Sequence, residues 1–224
     1  MISSIPKRYR SSPICNTDLK MYRAVGKEEL KKALSFIERE THLRTKSFRM
    51  LSDGIQGEFL RAFSLMVSPR SILEIGTFTG YATVSLCAGL HPTGVVHTIE
   101  KDDELTDIFH KGFAIASLQE RIRTYNGDAM EIIRSIEGSF DIVYIDADKR
   151  LYSNFFNLVK DRVVKGGWIL ADNVDWSGKI YSEKEHKDKQ TASIIAFREM
   201  IFREKGFRTT ILPIRDGLAI MKKL

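Results

Sequence analysis

From residue 71 to residue 202 the chain repeats one pattern five times: a short apolar run that stops abruptly, then a stretch whose apolar positions recur at helical spacing. The runs are SILEI from Ser71, VVHTI from Val95, IRTY from Ile122, IVYI from Ile142 and WILA from Trp168. Strands separated by helices cannot pair as tight hairpins. They need crossovers, and such crossovers build a parallel sheet with helices on both faces. Helices are expected over residues 81–89, 107–118 and 152–164, from Met130, and in TASIIAFREMIF, with Gly166 and Gly167 breaking the one that ends at 164. Residues 207–213 and 217–221 then alternate around Arg215, Asp216 and Gly217, a hairpin signal. The expected fold is α/β: a doubly wound, seven-stranded, mainly parallel sheet with an antiparallel last strand. Two helices precede it, over about residues 27–48 and 56–66. Their expected buried sides are Leu30, Ala33, Leu34, Ile37 and Leu43, and Phe59, Leu60, Phe63 and Leu65.

A chain of 224 residues with 43% hydrophobic content can bury a full core undivided, so residues 26–224 are read as one domain. Residues 1–25 carry Pro6, Lys7, Arg8, Arg10 and Pro13 without an apolar period. They read as a frayed arm, or as a lid or dimer contact folded over the sheet. No apolar run approaches the ~20 residues of a membrane span, and no signal-like stretch follows the first charges. A cytoplasmic protein with no membrane partner is expected. Cys15 and Cys87 make no disulfide framework, and Cys87 reads as core. The net charge of +6 suits an anionic partner such as nucleic acid, although 35 basic residues scattered among 29 acidic ones also describe a solvated mixed surface. Five histidines show no metal-ligand spacing and read as surface or loop residues. EKEHKDK at residues 183–189 reads as a solvated loop or the first turn of the following helix.

In an open parallel sheet the carboxyl ends of the strands face the ligand crevice. The fourth run ends in Asp146 and Asp148, and the fifth in Asp172 and Asn173, so oxygens from neighbouring strands meet at one edge. Asp146, Asp172 and Asn173 form a hard donor set suited to Mg²⁺, Ca²⁺ or Mn²⁺, with open positions for water or a chelating substrate. An isolated aspartate after a strand more often caps the next helix, and the pairing favours ligands here. At the first strand Gly76 and Gly80 let the backbone turn and approach a ligand. The dinucleotide pattern G-x-G-x-x-G is incomplete, and Glu74 precedes the loop. Glu100, about twenty residues beyond, suits the two hydroxyls of a ribose, or caps a helix. The loop at residues 126–129 could face an adenine ring or be a plain turn.

EIGTFTGY from Glu74, Glu100, YIDADK from Tyr144, ADNVDWSG from Ala171, GEFL from Gly57 and LPIRDGLAI from Leu212 together resemble the cation-dependent O-methyltransferases of the caffeoyl-CoA and catechol type. The resemblance covers roughly residues 28–224 and implies a Rossmann-like sheet that binds S-adenosylmethionine. On the family's pattern Glu74, Gly76 and Thr77 would line the donor's amino-acid and ribose part, with Ser52 and the Ala82 position nearby. Glu100 would take the ribose hydroxyls, Ala129 would lie beside the adenine, and Asp148 would help hold the donor's amino group. A divalent cation, Mg²⁺ foremost, would sit on Asp146, Asp172 and Asn173. Lys149 is the expected general base, its proton made labile by the cation site, with Asp146 also catalytic and Trp176 and Ser177 facing a small phenolic acceptor. Ala82 stands where many members carry serine, Ser177 where plant members use asparagine, and Arg198 where asparagine is common. Dimerisation is a further expectation from the resemblance. Three rival readings remain: a tRNA hydroxyuridine O-methyltransferase, which the fold and metal site could serve and the basic surface suits, a nicotinamide oxidoreductase, opposed by the missing middle glycine, and a catalytically silent binding protein, opposed by the filled metal-ligand positions.

Overall fold

The computed structural model describes residues 26–52, 54–181 and 188–224, so the expected arm at residues 1–25, Cys15 and most of the charge run lie outside the described residues. Seven strands, β1 (Ser71–Ile75), β2 (Val95–Glu100), β3 (Ile122–Asn126), β4 (Phe140–Ile145), β5 (Val163–Ala171), β6 (Phe207–Leu212) and β7 (Leu218–Lys223), form one sheet in the order β3-β2-β1-β4-β5-β7-β6. The first five run parallel, and β7 lies antiparallel between β5 and β6. The helices are α1 (Lys27–Arg44), α2 (Gly54–Val67), α3 (Tyr81–Cys87), α4 (Thr106–Ile115), α5 (Ala129–Ser135), α6 (Tyr152–Val159) and α7 (Lys189–Arg203). None is long and apolar enough to cross a membrane, among the described residues.

Alternation along the strands feeds two cores, one on each sheet face. Ile72, Ile142, Tyr144 and Leu170 pack under α1 to α4, whereas Leu73, Ile75, Val143, Ile145 and Ile169 pack under α5 to α7. Each such fully buried aliphatic side chain contributes about 1.5–3 kcal/mol. Cys87 is core, as expected.

Several local expectations are corrected. Helix α6 ends at Val159, and β5 begins at Val163, well before Trp168. Phe140 pairs with Val163 and Ile142 with Trp168, so β5 carries extra residues in a bulge where Gly166 sits at φ +78°. The two glycines therefore bend a strand instead of stopping a helix. Leu43 and Leu65 are exposed, and α2 instead buries Gln56, Leu60, Phe63 and Ser64. Those four fall on one stripe at helical spacing, with Leu65 a quarter-turn outside it. His97 is a half-buried strand residue stacked on Tyr125, not a surface or loop residue.

The register fixes where the ligand edge lies. Ile75 is level with Ile99 on β2 and Ile145 on β4, and Ile145 is level with Ala171 on β5. The ladder continues one residue further: Gly76 N–H donates to Ile99 O (3.0 Å), Asp146 N–H to Ile75 O (2.9 Å) and Asp172 N–H to Ile145 O (3.0 Å). Glu100, Gly76, Asp146 and Asp172 thus stand in a row on strands roughly 4.8 Å apart. The row spans β1 and β4, where the strand order reverses, which is where ligands bind in such sheets.

Candidate active site

Above that row opens a cavity of about 700 Å³, lined among others by Gly76, Glu100, Ala129, Asp146, Asp148, Lys149, Asp172, Asn173 and Trp176. A small adjoining recess is lined by Ser52, Gly76, Thr77, Ala82 and Asp146. Of the residues singled out in the sequence, Glu74, Gly80, Ser177 and Arg198 lie outside both linings. Seven carboxylates face four basic side chains around the larger cavity, although the whole chain is basic at +6. The field inside therefore favours cationic ligands.

The oxygen cluster follows from the strand ends. Asp172 is 2% exposed; its Oδ2 accepts from Gln56 Nε2 (2.6 Å) and its Oδ1 from Asn173 N–H (2.8 Å). Burial, and then the nearby Asp146 carboxylate, push the Asp172 acid up to about 6. A carboxylate whose ionised form is disfavoured by burial and by a like charge beside it gains from a cation placed between the two. Asn173, left-handed at φ 56°, completes the lining beside them. Among the described residues no group of three or more His, Cys, Asp and Glu side chains is placed to hold a metal. The set here is two carboxylates and an amide, which suits a hard ion that keeps some of its water.

Lys149 adjoins this cluster. It is 7% exposed and donates to Asp146 Oδ1 (2.8 Å) and to the Tyr152 hydroxyl (2.6 Å). Burial alone would lower its pKa, but Asp146 and Tyr152 outweigh burial and hold the ammonium above its ordinary range. In this arrangement the ammonium is therefore held by Asp146 and Tyr152, whereas the expectation of a labile proton concerns the cation-bound site. The sequence could not reveal that the side chain reaches back to Asp146. Tyr152 in turn lies 3.1 Å from the carbonyls of Ile145 and Asp172, tying the lysine to both strand ends.

Gly76 has no room for a side chain: at φ +100°, a Cβ would come within 2.0 Å of the Asp146 carbonyl oxygen. Glu74 does not line the crevice. It is fully buried below the loop, where Thr83 and Thr98 both donate to its Oε2. Because Thr98 spends its proton there, the 2.6 Å contact between Thr77 and Thr98 must have Thr77 as donor. Glu74 Oε1 is buried without a hydrogen-bond partner, the oxygen left to carry the acid's proton since Oε2 already accepts two hydroxyls.

Burial pushes the Glu74 acid up to about 8, from an ordinary 4.5. A folded pKa above the unfolded one means the native state holds the proton more tightly. The resulting stability is complete below about 4.5 and is lost as pH rises through about 8. Thermal unfolding of the unliganded protein is expected to lose stability between pH 7 and 8, by up to about 1.4 kcal/mol per pH unit. Glu74→Gln should flatten that slope; a variant that follows the wild-type curve would show that another group titrates.

The remaining residues divide between lining and scaffold. Both oxygens of Glu100 accept backbone N–H groups, Oε2 from Phe78 (2.6 Å) and Oε1 from Lys101 (2.8 Å) and Asp102 (2.9 Å). Asp148 caps the turn at Lys149–Leu151, and Arg150 holds its carboxyl below the ordinary range, so the capping reading applies to it as well. Ala129 opens α5 at the cavity wall. Trp176 lines the cavity with a buried, unpartnered Nε1. Ser177 is exposed and lies outside both linings, and its N–H donates to Asp216 (2.5 Å), which lines the cavity. Arg198 clamps Val174 O and Asp175, holding the loop that carries Trp176. Gln56, Tyr144 and Arg215 were not legible as site residues. Gln56 offered one signal, a polar residue on the buried stripe of its helix.

The O-methyltransferase family matches residues 25–224. Catechol O-methyltransferase of Niastella koreensis is 32% identical over 174 residues, covering 74% of this chain and 78% of that one. Caffeoyl-CoA O-methyltransferase 1 of Eucalyptus globulus is 22% identical over 185 residues, 78% of this chain and 75% of that one. Among solved structures, the O-methyltransferase from Bacillus cereus in complex with SAH superposes with a TM-score of 0.77 at 26% identity, over 89% of this chain and 92% of that one.

Proposed function

This chain belongs to the O-methyltransferase family, and from that premise we propose that it moves a methyl group from S-adenosylmethionine to one hydroxyl of a catechol-like or hydroxycinnamoyl-type phenol, with a divalent cation on Asp146, Asp172 and Asn173. The observation that carries the reading is the row of Glu100, Gly76, Asp146 and Asp172 at one sheet edge, opening into a cavity whose carboxylates outnumber its basic groups. S-adenosylmethionine carries a sulfonium and an ammonium, and both are cationic. The bare Gly76 turn fits the amino-acid end, with Ser52, Thr77 and Ala82 around it. Glu100 keeps a second lone pair on Oε2 for a ribose hydroxyl, while Ala129 borders the adenine and Asp148 closes the near wall.

Bound at the three oxygens, a divalent cation supplies a Lewis acid and template for a vicinal diol, favouring its deprotonated oxygen. Trp176 offers the acceptor ring an apolar surface on the cavity wall. Lys149 holds its own proton as it stands, so its part as base requires that it first give up its bond to Asp146. With that bond gone, burial works toward the neutral amine. In-line transfer from a sulfonium needs no covalent enzyme intermediate, and orientation carries most of the acceleration.

The tRNA reading draws on the fold and the metal site, which could serve such an acceptor, and on the basic surface. The cavity has the opposite balance, seven carboxylates against four basic groups, so the basic surface lends it no support at the site. The direct test is turnover on a panel of catechols, hydroxycinnamoyl thioesters, and unmodified and hydroxylated tRNA. Methylation of a catechol or thioester is expected, abolished by EDTA and restored by Mg²⁺. Full activity in metal-free buffer would remove the cation from the account, and turnover confined to hydroxylated tRNA would replace the acceptor.

A further inference from the structure

Gln56 lines neither the cavity nor the recess, yet it binds the more deeply buried of the two candidate cation carboxylates. We infer that Gln56 is a positioning residue that fixes which lone pairs of Asp172 are offered to a divalent cation. The inference rests on the cation reading above.

Gln56 is 0% exposed, in the first turn of α2. Its Nε2 donates to Asp172 Oδ2 (2.6 Å) and to the Tyr144 hydroxyl (2.7 Å), and its Oε1 accepts from Arg215 Nη1 (3.2 Å). A guanidinium only donates and a carboxylate only accepts, so this amide has a single orientation. Asp172 is pinned at both oxygens, Oδ2 by Gln56 and Oδ1 by Asn173 N–H (2.8 Å). What remains of each oxygen's acceptor capacity then points in a fixed direction. A neutral amide achieves this without adding charge. A carboxylate in its place would repel Asp172, and an ammonium would compete with the cation. Groups that orient a ligand in this way typically change metal affinity 10–100-fold when removed.

The far end of the chain is anchored as well. Arg215, in the turn between β6 and β7, also donates to Leu51 O (2.5 Å) and Arg49 O (2.9 Å). The C-terminal hairpin, the segment before α2 and the end of β5 therefore share one buried polar chain, with Gln56 as the link that touches Asp172.

Mn²⁺ affinity, measured by electron paramagnetic resonance without acceptor, separates this role from packing. Gln56→Met removes the donor at similar volume and should weaken Mn²⁺ about tenfold, with the affinity for S-adenosylhomocysteine unchanged. Tyr144→Phe removes the amide's other partner but leaves the bond to Asp172, so it should lower thermal stability while Mn²⁺ affinity stays within about twofold of wild type. Equal Mn²⁺ binding by Gln56→Met and wild type, or equal losses in both variants, would overturn the inference. Wild-type protein that binds no Mn²⁺ would overturn the cation reading together with it. Should Gln56→Met not fold, the wild type still gives an answer. Its Gln56 side-chain amide resonance, assigned by substituting the other two glutamines, Gln119 and Gln190, is expected to shift on Mg²⁺ saturation. An unmoved resonance would contradict the role.

Discussion

Asp146→Ala is expected to lower kcat by about 10²–10³-fold, the range observed when a group that stabilises transition-state charge is removed. Glu100→Ala should instead weaken donor binding with kcat little changed. The difference follows from when each contact acts. A carboxylate that holds the cation, and through it the reacting oxygen, contributes more in the transition state than in the ground state, whereas a ribose contact contributes equally to both. The geometry adds a second loss, because Asp146 Oδ1 also accepts from Lys149 at 2.8 Å. Removing Asp146 leaves a buried ammonium with only Tyr152 beside it, so Lys149 is expected to drift toward its neutral form as the cation is lost. Asp172→Ala should resemble Asp146→Ala in kcat and in metal dependence. Steady-state kinetics with donor and acceptor varied separately check the ranking. Equal falls in kcat for Asp146→Ala and Glu100→Ala would contradict it.

Gly76→Ala is expected to abolish donor binding and to destabilise the fold by on the order of 2–5 kcal/mol. The new Cβ would fall 2.0 Å from the Asp146 carbonyl oxygen and 2.8 Å from its carbon. Neither is the end of a flexible side chain. Both belong to the backbone at the end of β4, so β1 and β4 would have to part where the donor loop begins. Gly138→Ala provides the control. Gly138 also has positive φ, +92°, but nothing lies within 4 Å of an added Cβ, so only the conformational cost applies, about 1–3 kcal/mol and at the low end without a clash. Thermal unfolding with and without S-adenosylhomocysteine distinguishes the two. A Gly76→Ala protein as stable as Gly138→Ala, and still stabilised by that ligand, would show that the edge is more pliant than its register implies.

What could be read from the sequence was what depends on local period and strand order. Once five apolar runs alternate with helices, the residues after them must share one edge, and Asp146, Asp172 and Gly76 do so because Ile75, Ile145 and Ala171 are level. What could not be read depends on how side chains meet across elements. Val163 to Gly167 looked like a helix end because glycines break helices and bulge strands alike, and only pairing with β4 separates the cases. Glu74 belonged to the right motif, yet alternation along β1 turns its carboxylate away from the crevice lining toward Thr83 and Thr98. Lys149 stands beside Asp146, but that a lysine three residues on curls back to pair with that carboxylate is not written in any local period. Gln56 and Arg215 lie 159 positions apart in sequence, and nothing local foretells that they meet.

The most direct measurement is anomalous diffraction from crystals soaked in Mn²⁺ with S-adenosylhomocysteine present. A single peak is expected among the side-chain oxygens of Asp146, Asp172 and Asn173, absent from Asp146→Ala crystals treated in the same way. A peak elsewhere, or none in wild-type crystals that hold the cofactor product, would contradict the account.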